Sequence, residues 1–394
     1  MNAHEWRATS ALSLLQALRM LGMFMILPVL ELYSRDLPGG ASQMQIGLAI
    51  GVYGLVQACL QIPFGMLSDR IGRKPVILFG LVLFAAGSFV AGHSEDIHWI
   101  IAGRALQGAG AISGAVSALL ADVTRPQVRT TAMAVMGAGM GMSFIIALVL
   151  GPVLSGIIGV PGIFDLTGVL AIAAAFGIVF LAPNAPRQPS VPGGLRRALA
   201  DSQLLRLDGG IFLLHAMMTT LFIAAPQAIE QTLGLPNARQ WEVYLPVLLL
   251  SIIPVFPMIR RIEAKGRVKA ALLGSIMLIC IALLTASEVH AHAAGLCLAL
   301  LIFFIGFNYL EGSLPSMISR RAPPDQKGAA LGVYATSQFL GGFAGSTIGS
   351  FALAHWGIGG AFAAAGLLPL VWLTFAFTLA PPAAHAPQPP ESST

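Results

Sequence analysis

The sequence predicts an all-α integral membrane protein, with twelve transmembrane helices in two pseudo-symmetric six-helix bundles. Three observations lead there. Hydrophobic residues make up 56% of the chain and charged residues 10%, with a mean hydropathy of +0.80; a soluble domain carries roughly 25% charged residues. Apolar runs of about 20 residues, the length a helix needs to cross hydrocarbon, recur along the whole chain. All but four of the 22 lysines and arginines fall in alternate loops. Cytoplasmic loops carry such an excess, so both termini are expected in the cytoplasm.

The runs place twelve spans at roughly 10–33, 43–68, 75–92, 97–122, 128–155, 161–183, 208–232, 241–260, 268–287, 292–319, 327–353 and 357–380. Span 1 is long enough to cross and has no convincing small-residue cleavage site after it, so it reads as a helix, not a removable leader. The N-terminal bundle is residues 1–185. Residues 186–207 form a cytoplasmic linker, stiffened by Pro186, Pro189 and Pro192 and basic through Arg187, Arg196, Arg197 and Arg206. A short amphipathic helix is expected within it, over Leu195 to Leu205. The C-terminal bundle is residues 208–380, and the Pro/Ala-rich tail 381–394 is expected to be disordered.

Forty-four glycines would weaken soluble helices but let helices in lipid approach closely. Cys59, Cys280 and Cys297 lie in apolar runs, which argues against a disulfide framework or a metal site. No Walker loop is present. The reading is therefore not an enzyme: no catalytic residues, metal, cofactor or nucleic acid are expected, and the partners are a small molecule, protons and the lipid bilayer, with the chain a monomer. The halves also echo each other. Arg129-Thr-Thr-Ala-Met-Ala-Val-Met matches Lys327-Gly-Ala-Ala-Leu-Gly-Val-Tyr, and Asp69-x-x-Gly72-Arg73 matches Glu263-x-x-Gly266-Arg267. Duplicated six-helix halves around an axis along the membrane normal place a binding site at their interface.

The most informative loop is Gly65-Met66-Leu67-Ser68-Asp69-Arg70-Ile71-Gly72-Arg73-Lys74-Pro75. Gly72 suits a tight turn and Pro75 the first turn of the next helix. A carboxylate at the end of its own helix meets the wrong sign of dipole, so Asp69 is better placed against another helix's N-terminus or a guanidinium. Arg73 is expected to pair with Asp122 at the end of span 4, and Asp69 to face the start of span 11 near Gly328. The loop closely resembles the signature between helices 2 and 3 of the major facilitator superfamily of transporters. By that resemblance Gly65, Asp69, Arg70, Gly72, Arg73 and Asp122 form a cytoplasmic latch that closes when the transporter faces outward. Two helix bundles rocking about a central site are the fold it implies.

Ionisable residues inside spans are expensive and face cavities or partners. Arg19 lies about 14 Å into span 1 and Arg104 about 10 Å into span 4, at 1.5 Å per residue. Glu31 lies at a depth similar to Arg104 and is a candidate partner for it. Arg104-x-x-Gln107-Gly108-x-Gly110 resembles the helix-4 signature of the superfamily's drug-efflux branch, where that arginine is tied to proton coupling. In the second half, His215 and Glu311 sit at similar depth, ~10–12 Å from the cytoplasmic face. A carboxylate there is costly to keep charged, and histidine titrates near neutrality, so the two form a candidate protonation pair. Asn308 shares a helix face with Glu311, and with Arg19, Glu31, Gln107 and Gln338 it is assigned to the cavity. Each of these residues also has a plain reading as a packed, hydrogen-bonded interior group.

Gly151-Pro152-Val-Leu-Ser155-Gly156 in span 5 resembles the superfamily's antiporter signature, with Ala138, Ala147 and Ser155 where the pattern has glycine. Longer runs, among them Leu18-Arg19-Met-Leu-Gly-Met-Phe-Met and Tyr334-Ala-Thr-Ser-Gln338-Phe-Leu, resemble one bacterial inner-membrane member of the drug/proton antiporter type. That member continues into a soluble domain after its last helix, and this sequence stops at Thr394. The resemblance implies proton-coupled efflux of a small, amphipathic or drug-like molecule across the bacterial inner membrane. Proton-coupled uptake of a small metabolite is the alternative, and a transport-inactive sensor on the same scaffold is a second.

Overall fold

In a computed structural model, residues 1–180, 182, 194–264, 267–323 and 327–379 are described, and among them every regular element is helical. The first crossing is α1 (Ala3–Ile26) followed by the short α2 (Leu30–Arg35). It begins earlier than hydropathy suggests because Asn2 and Glu5 form a capping box: Glu5 N donates to Asn2 Oδ1 and Asn2 N to Glu5 Oε2, both at 2.8 Å. Pro28, which has no N–H to give, lies between the two pieces. α3 (Gln43–Ile71) starts at a second capping box, Ser42 with Gln45, and α4 (Arg73–Gly92) follows one residue later.

The fourth crossing is not one helix. α5 (Ile97–Ala109) and α6 (Ser113–Asp122) are separated at Gly110–Ile112. The neighbouring helix fits into this break: a Cβ on Gly80 of α4 would collide with Ile112, and one on Gly110 would lie 2.5 Å from Gly80 O. α7 (Pro126–Phe180) is two crossings, reversing at Gly159 with φ +70°. α13 (Lys327–Ala376) does the same at Gly357 with φ +68°. Gly159 and Gly357 are 198 positions apart, as are Arg129 and Lys327. The duplication seen in one loop therefore extends through the following hairpin.

Between these hairpins run α8 (Gly194–Ala200), α9 (Ser202–Leu233), a 3-10 turn at Asn237–Arg239, α10 (Trp241–Ala264), α11 (Val268–Val289) and α12 (Ala293–Arg321). The amphipathic helix expected over Leu195 to Leu205 ends instead at Asp201, which caps α9 by accepting from Gln203 N at 2.8 Å and Leu204 N at 3.3 Å. The seventh crossing thus begins two turns before the hydropathy boundary. Most of the linker, the Glu263-x-x-Gly266 loop side chains and the C-terminal tail lie outside the described residues. Among the described residues, eight helices are individually long and apolar enough to cross a membrane. With α7 and α13 each crossing twice, α5 and α6 together once, and α10 once, the count is twelve.

The halves meet along a seam between α3 and the first limb of α13. Gly47 lies against Ser350, Gly51 against Ser346, and Gly54 against the backbone of Phe339. Without side chains at these three positions the helices reach backbone contact. At the same end Arg35 Nη2 bonds Glu230 Oε2 at 2.9 Å, Gln227 bonds Glu31, and Asn237 Nδ2 bonds Val29 O at 3.2 Å. These contacts run from mid-bundle to the end away from the basic loops. At the basic end Gly65, Gly328 and Gly332 each have open space where a Cβ would stand. The close contacts named between the halves gather towards the end away from the basic loops.

Candidate functional site

Two polar clusters sit within the bundle, one in each half. In the first, Arg19 of α1 is 2% exposed. Its Nη1 donates to Ser113 Oγ at 2.7 Å, and its Nη2 to Tyr53 Oη at 2.9 Å and Gln57 Oε1 at 2.7 Å. Gln57 continues to Gln61 at 3.2 Å, and the guanidinium lies 5.6 Å from the Phe84 ring centre. The hydroxyl and amide partners were not evident from the sequence, since no charge marks them.

Arg104 makes all its hydrogen bonds in its own half. Nε donates to Ala49 O at 3.2 Å, Nη2 to Ile50 O at 3.5 Å and Nη1 to Gln107 Oε1 at 2.8 Å, over the Tyr53 ring at 4.9 Å. Gln107 in turn donates to Ser88 Oγ at 2.7 Å. The pairing of Arg104 with Glu31 is therefore corrected: Glu31 is fully buried and bonded by Gln227 of the other half. Depth along a helix matched the two residues, but their directions around it differ. Arg104 braces α5 against α3, the helix that forms the seam.

In the second half, α9, α12 and α13 bring His215, Glu311 and Gln338 together. Gln338 Nε2 lies 2.8 Å from His215 Nε2 and 3.4 Å from Glu311 Oε1, and His215 Nε2 lies 3.9 Å from Glu311 Oε2. The His215 side chain is 8% exposed and that of Glu311 37%, so within an apolar bundle Glu311 is the member that reaches open space. Among the described residues no arginine or lysine is bonded to it. Asn308 points away to α10, donating to Ser251 Oγ at 2.9 Å. A further carboxylate, Asp208 of α9, is 4% exposed.

At the basic end Arg73 is the hub. Its Nε donates to Asp122 Oδ2 at 3.1 Å and its Nη1 to Ser68 Oγ at 2.7 Å and to Asp69. Ser68 Oγ itself donates to Gly65 O at 2.7 Å. Gly72 has φ +107°, which a side chain would strain, and Arg70 is exposed. Asp69 is held by Arg73 of its own half, and a Cβ on Gly328 would meet nothing within 4 Å. A further tie, Glu5 to Arg125 at 2.8 and 3.1 Å, joins the start of α1 to the loop before α7. In the fifth crossing a Cβ on Gly151 would strike Met25 O of α1, Pro152 O accepts from Ser155 Oγ at 2.7 Å, and a Cβ on Gly156 would lie 2.7 Å from Ala238 of the other half.

Paired six-helix halves, a seam of small residues and polar clusters inside the bundle are the plan of a membrane transporter, and comparison with known proteins agrees. The family profile of the Major Facilitator Superfamily matches residues 12–346. The chain belongs to this superfamily. Members are transporters and not enzymes, and the protein is a membrane transporter of this type. Among superfamily relatives, the inner membrane transport protein YajR of Escherichia coli (strain K12) is 43% identical, over 97% of this chain and 85% of its own. The multidrug resistance protein MdtH of Aeromonas salmonicida (strain A449) is 25% identical over 85% of this chain and 84% of its own. Among solved superfamily-like structures, a bacterial homolog of the human lysosomal transporter Spinster, inward-facing and occupied, superposes with a TM-score of 0.76 at 14% identity, covering 96% of this chain and 97% of its own.

Proposed function

We propose that the protein is a proton-coupled exporter of the bacterial inner membrane, exchanging inward-moving protons for an outgoing small amphipathic molecule by alternating access. The basic loops and both termini face the cytoplasm in this reading, which rests on the lysine and arginine distribution. The similarity to YajR supports the inner-membrane location, and the more distant similarity to MdtH supports export of a drug-like molecule.

The observation that carries the reading is the shared amide of Gln338. Its Nε2 has two hydrogens, and the two nearest acceptors are His215 Nε2 and Glu311 Oε1. With His215 Nε2 unprotonated, the amide ties α13 to α9 and α12. A proton on that nitrogen sets donor against donor and removes the first bond. His215 Nε2–H then has Glu311 Oε2, 3.9 Å away, as its acceptor. Gln338 adjoins Phe339, whose carbonyl packs on Gly54 in the seam. Proton arrival thus transfers a bond from the seam helix to the α9–α12 pair. A two-state bundle needs that kind of differential contact to be biased by a ligand.

Glu311 exchanges the proton with the open space its side chain reaches, His215 receives it, and Gln338 reports the change to α13. Arg104 is a positioning residue in this scheme, holding α5 to the backbone of α3. The test uses everted membrane vesicles with an acidic lumen and a pH-sensitive dye. An exported compound, added outside, releases lumenal protons with wild-type protein. Glu311→Gln retains membrane insertion and loses the release. Proton release by Glu311→Gln at the wild-type rate overturns the reading. A dye response of the opposite sign would instead favour proton-coupled uptake, and no response across a broad panel would favour a sensor.

A further inference from the structure

Two turns along α9 from His215, on the same face, lies Asp208. It is 4% exposed and its Oδ1 has no hydrogen-bond partner. Among the described residues no ion pair reaches it. The charged groups on the surrounding elements are engaged elsewhere or exposed. Asp201 caps α9 and lies 3.9 Å from Arg321 Nε. Arg206 donates to Thr378 O and Lys269 to Phe377 O. Arg196 and Arg197 of α8 are exposed. On α12 the nearest acid is Glu311, and on α13 the titratable group is Tyr334. The Tyr334 hydroxyl and Glu311 Oε2 are also buried without hydrogen-bond partners. An apolar interior does not retain an uncompensated carboxylate without function or neutralisation.

We propose that Asp208 is a second proton-binding carboxylate of the transporter, on the same face of α9 as His215 and two turns nearer the basic end. The proposal rests on the reading of the His215–Glu311 pair as the proton site.

Infrared difference spectroscopy of the full-length protein in liposomes tests this without a substrate, the probe being pH itself. Aspartate carrying ¹³C in its carboxyl shifts only aspartate bands, so the wild-type chain can be used. Asp208 is the buried, unpaired aspartate of the described residues: Asp69 and Asp122 are held by Arg73, and Asp36, Asp96, Asp165 and Asp201 are more exposed. The expected result is one isotope-shifted protonated-carboxyl band that rises and falls reversibly as pH is varied. It disappears in Asp208→Asn and keeps its amplitude in Glu311→Gln. Absence of an isotope-shifted band, or a band that fails to titrate, overturns the proposal. The unlabelled glutamate band, lost in Glu311→Gln, reports on the underlying reading separately. If that band never titrates while the aspartate band does, the Glu311 assignment fails and the Asp208 assignment stands.

Discussion

Gly54→Ala is expected to unlock the end of the bundle away from the basic loops. The new Cβ would lie 2.7 Å from Phe339 O, short of the 3.4 Å at which ordinary contact begins. The obstacle is backbone, so no side-chain rotation relieves it, and the seam has to open by roughly 0.7 Å or remain strained. Overpacking of this kind costs about 1–3 kcal/mol. The cost falls on the state in which α3 and α13 touch and is absent once they part. The population with that end open should therefore rise ~5- to ~150-fold. A reporter is available in Ser350, which is fully buried at the outermost step of the seam beside Gly47. With Cys59, Cys280 and Cys297 replaced by serine, Ser350→Cys is labelled by a membrane-impermeant maleimide added on the side away from the basic loops. Labelling should accelerate by the same factor in Gly54→Ala. A rate within twofold of the parent, in protein of normal thermal stability, would refute the seam as the barrier between the two states.

Other consequences follow from the same contacts. Asp122→Asn leaves Arg73, mostly buried, without its carboxylate across from α6; a loss of about 1–3 kcal/mol is expected in detergent melting. Gly72→Ala places a side chain at φ +107° and should cost about 1–2 kcal/mol, read as a lower melting temperature with transport retained. Arg104→Lys keeps the charge but not the fork that reaches Ala49 O, Ile50 O and Gln107 together; transport should fall several-fold, and an unchanged rate would remove its bracing role. Asp96 caps α5, and the amide and ring of His98 hold its carboxyl below its ordinary value of 3.8. A depressed value in the folded state means the cap is intact above that pH and is lost only as pH falls below it. Amide exchange at His98 should follow the unprotected pH trend only there.

Much of the architecture was legible because hydrocarbon tolerates so few arrangements. Charge-free runs of spanning length have one use, and the arginine-rich loops alternate with them. The pairing of Arg73 with Asp122 and the approach of His215 to Glu311 also followed from depth along their helices. Direction around a helix did not. Glu31 and Arg104 share a depth and face different neighbours. The break at Gly110 was invisible because a run of small apolar residues reads as continuous helix, and its cause is the close approach of α4 at Gly80. Asp208 was hidden by a boundary. Hydropathy starts the seventh crossing at that residue, where an aspartate looks like a headgroup anchor, whereas the Asp201 cap starts it two turns earlier. Glu5 was overlooked likewise, since α1 begins at Ala3 and carries it to Arg125.

The claim on which the account depends is that protonation near Glu311 decides which end of the bundle is open. Spin-label distances measure it directly, with one pair across the basic end at Ile71 and Gly328 and one across the opposite end at Gly39 and Gln231. In liposomes the two distances should change in opposite senses as pH is varied, and Glu311→Gln should hold both constant. Wild-type distances that ignore pH, or that respond equally in Glu311→Gln, would contradict it.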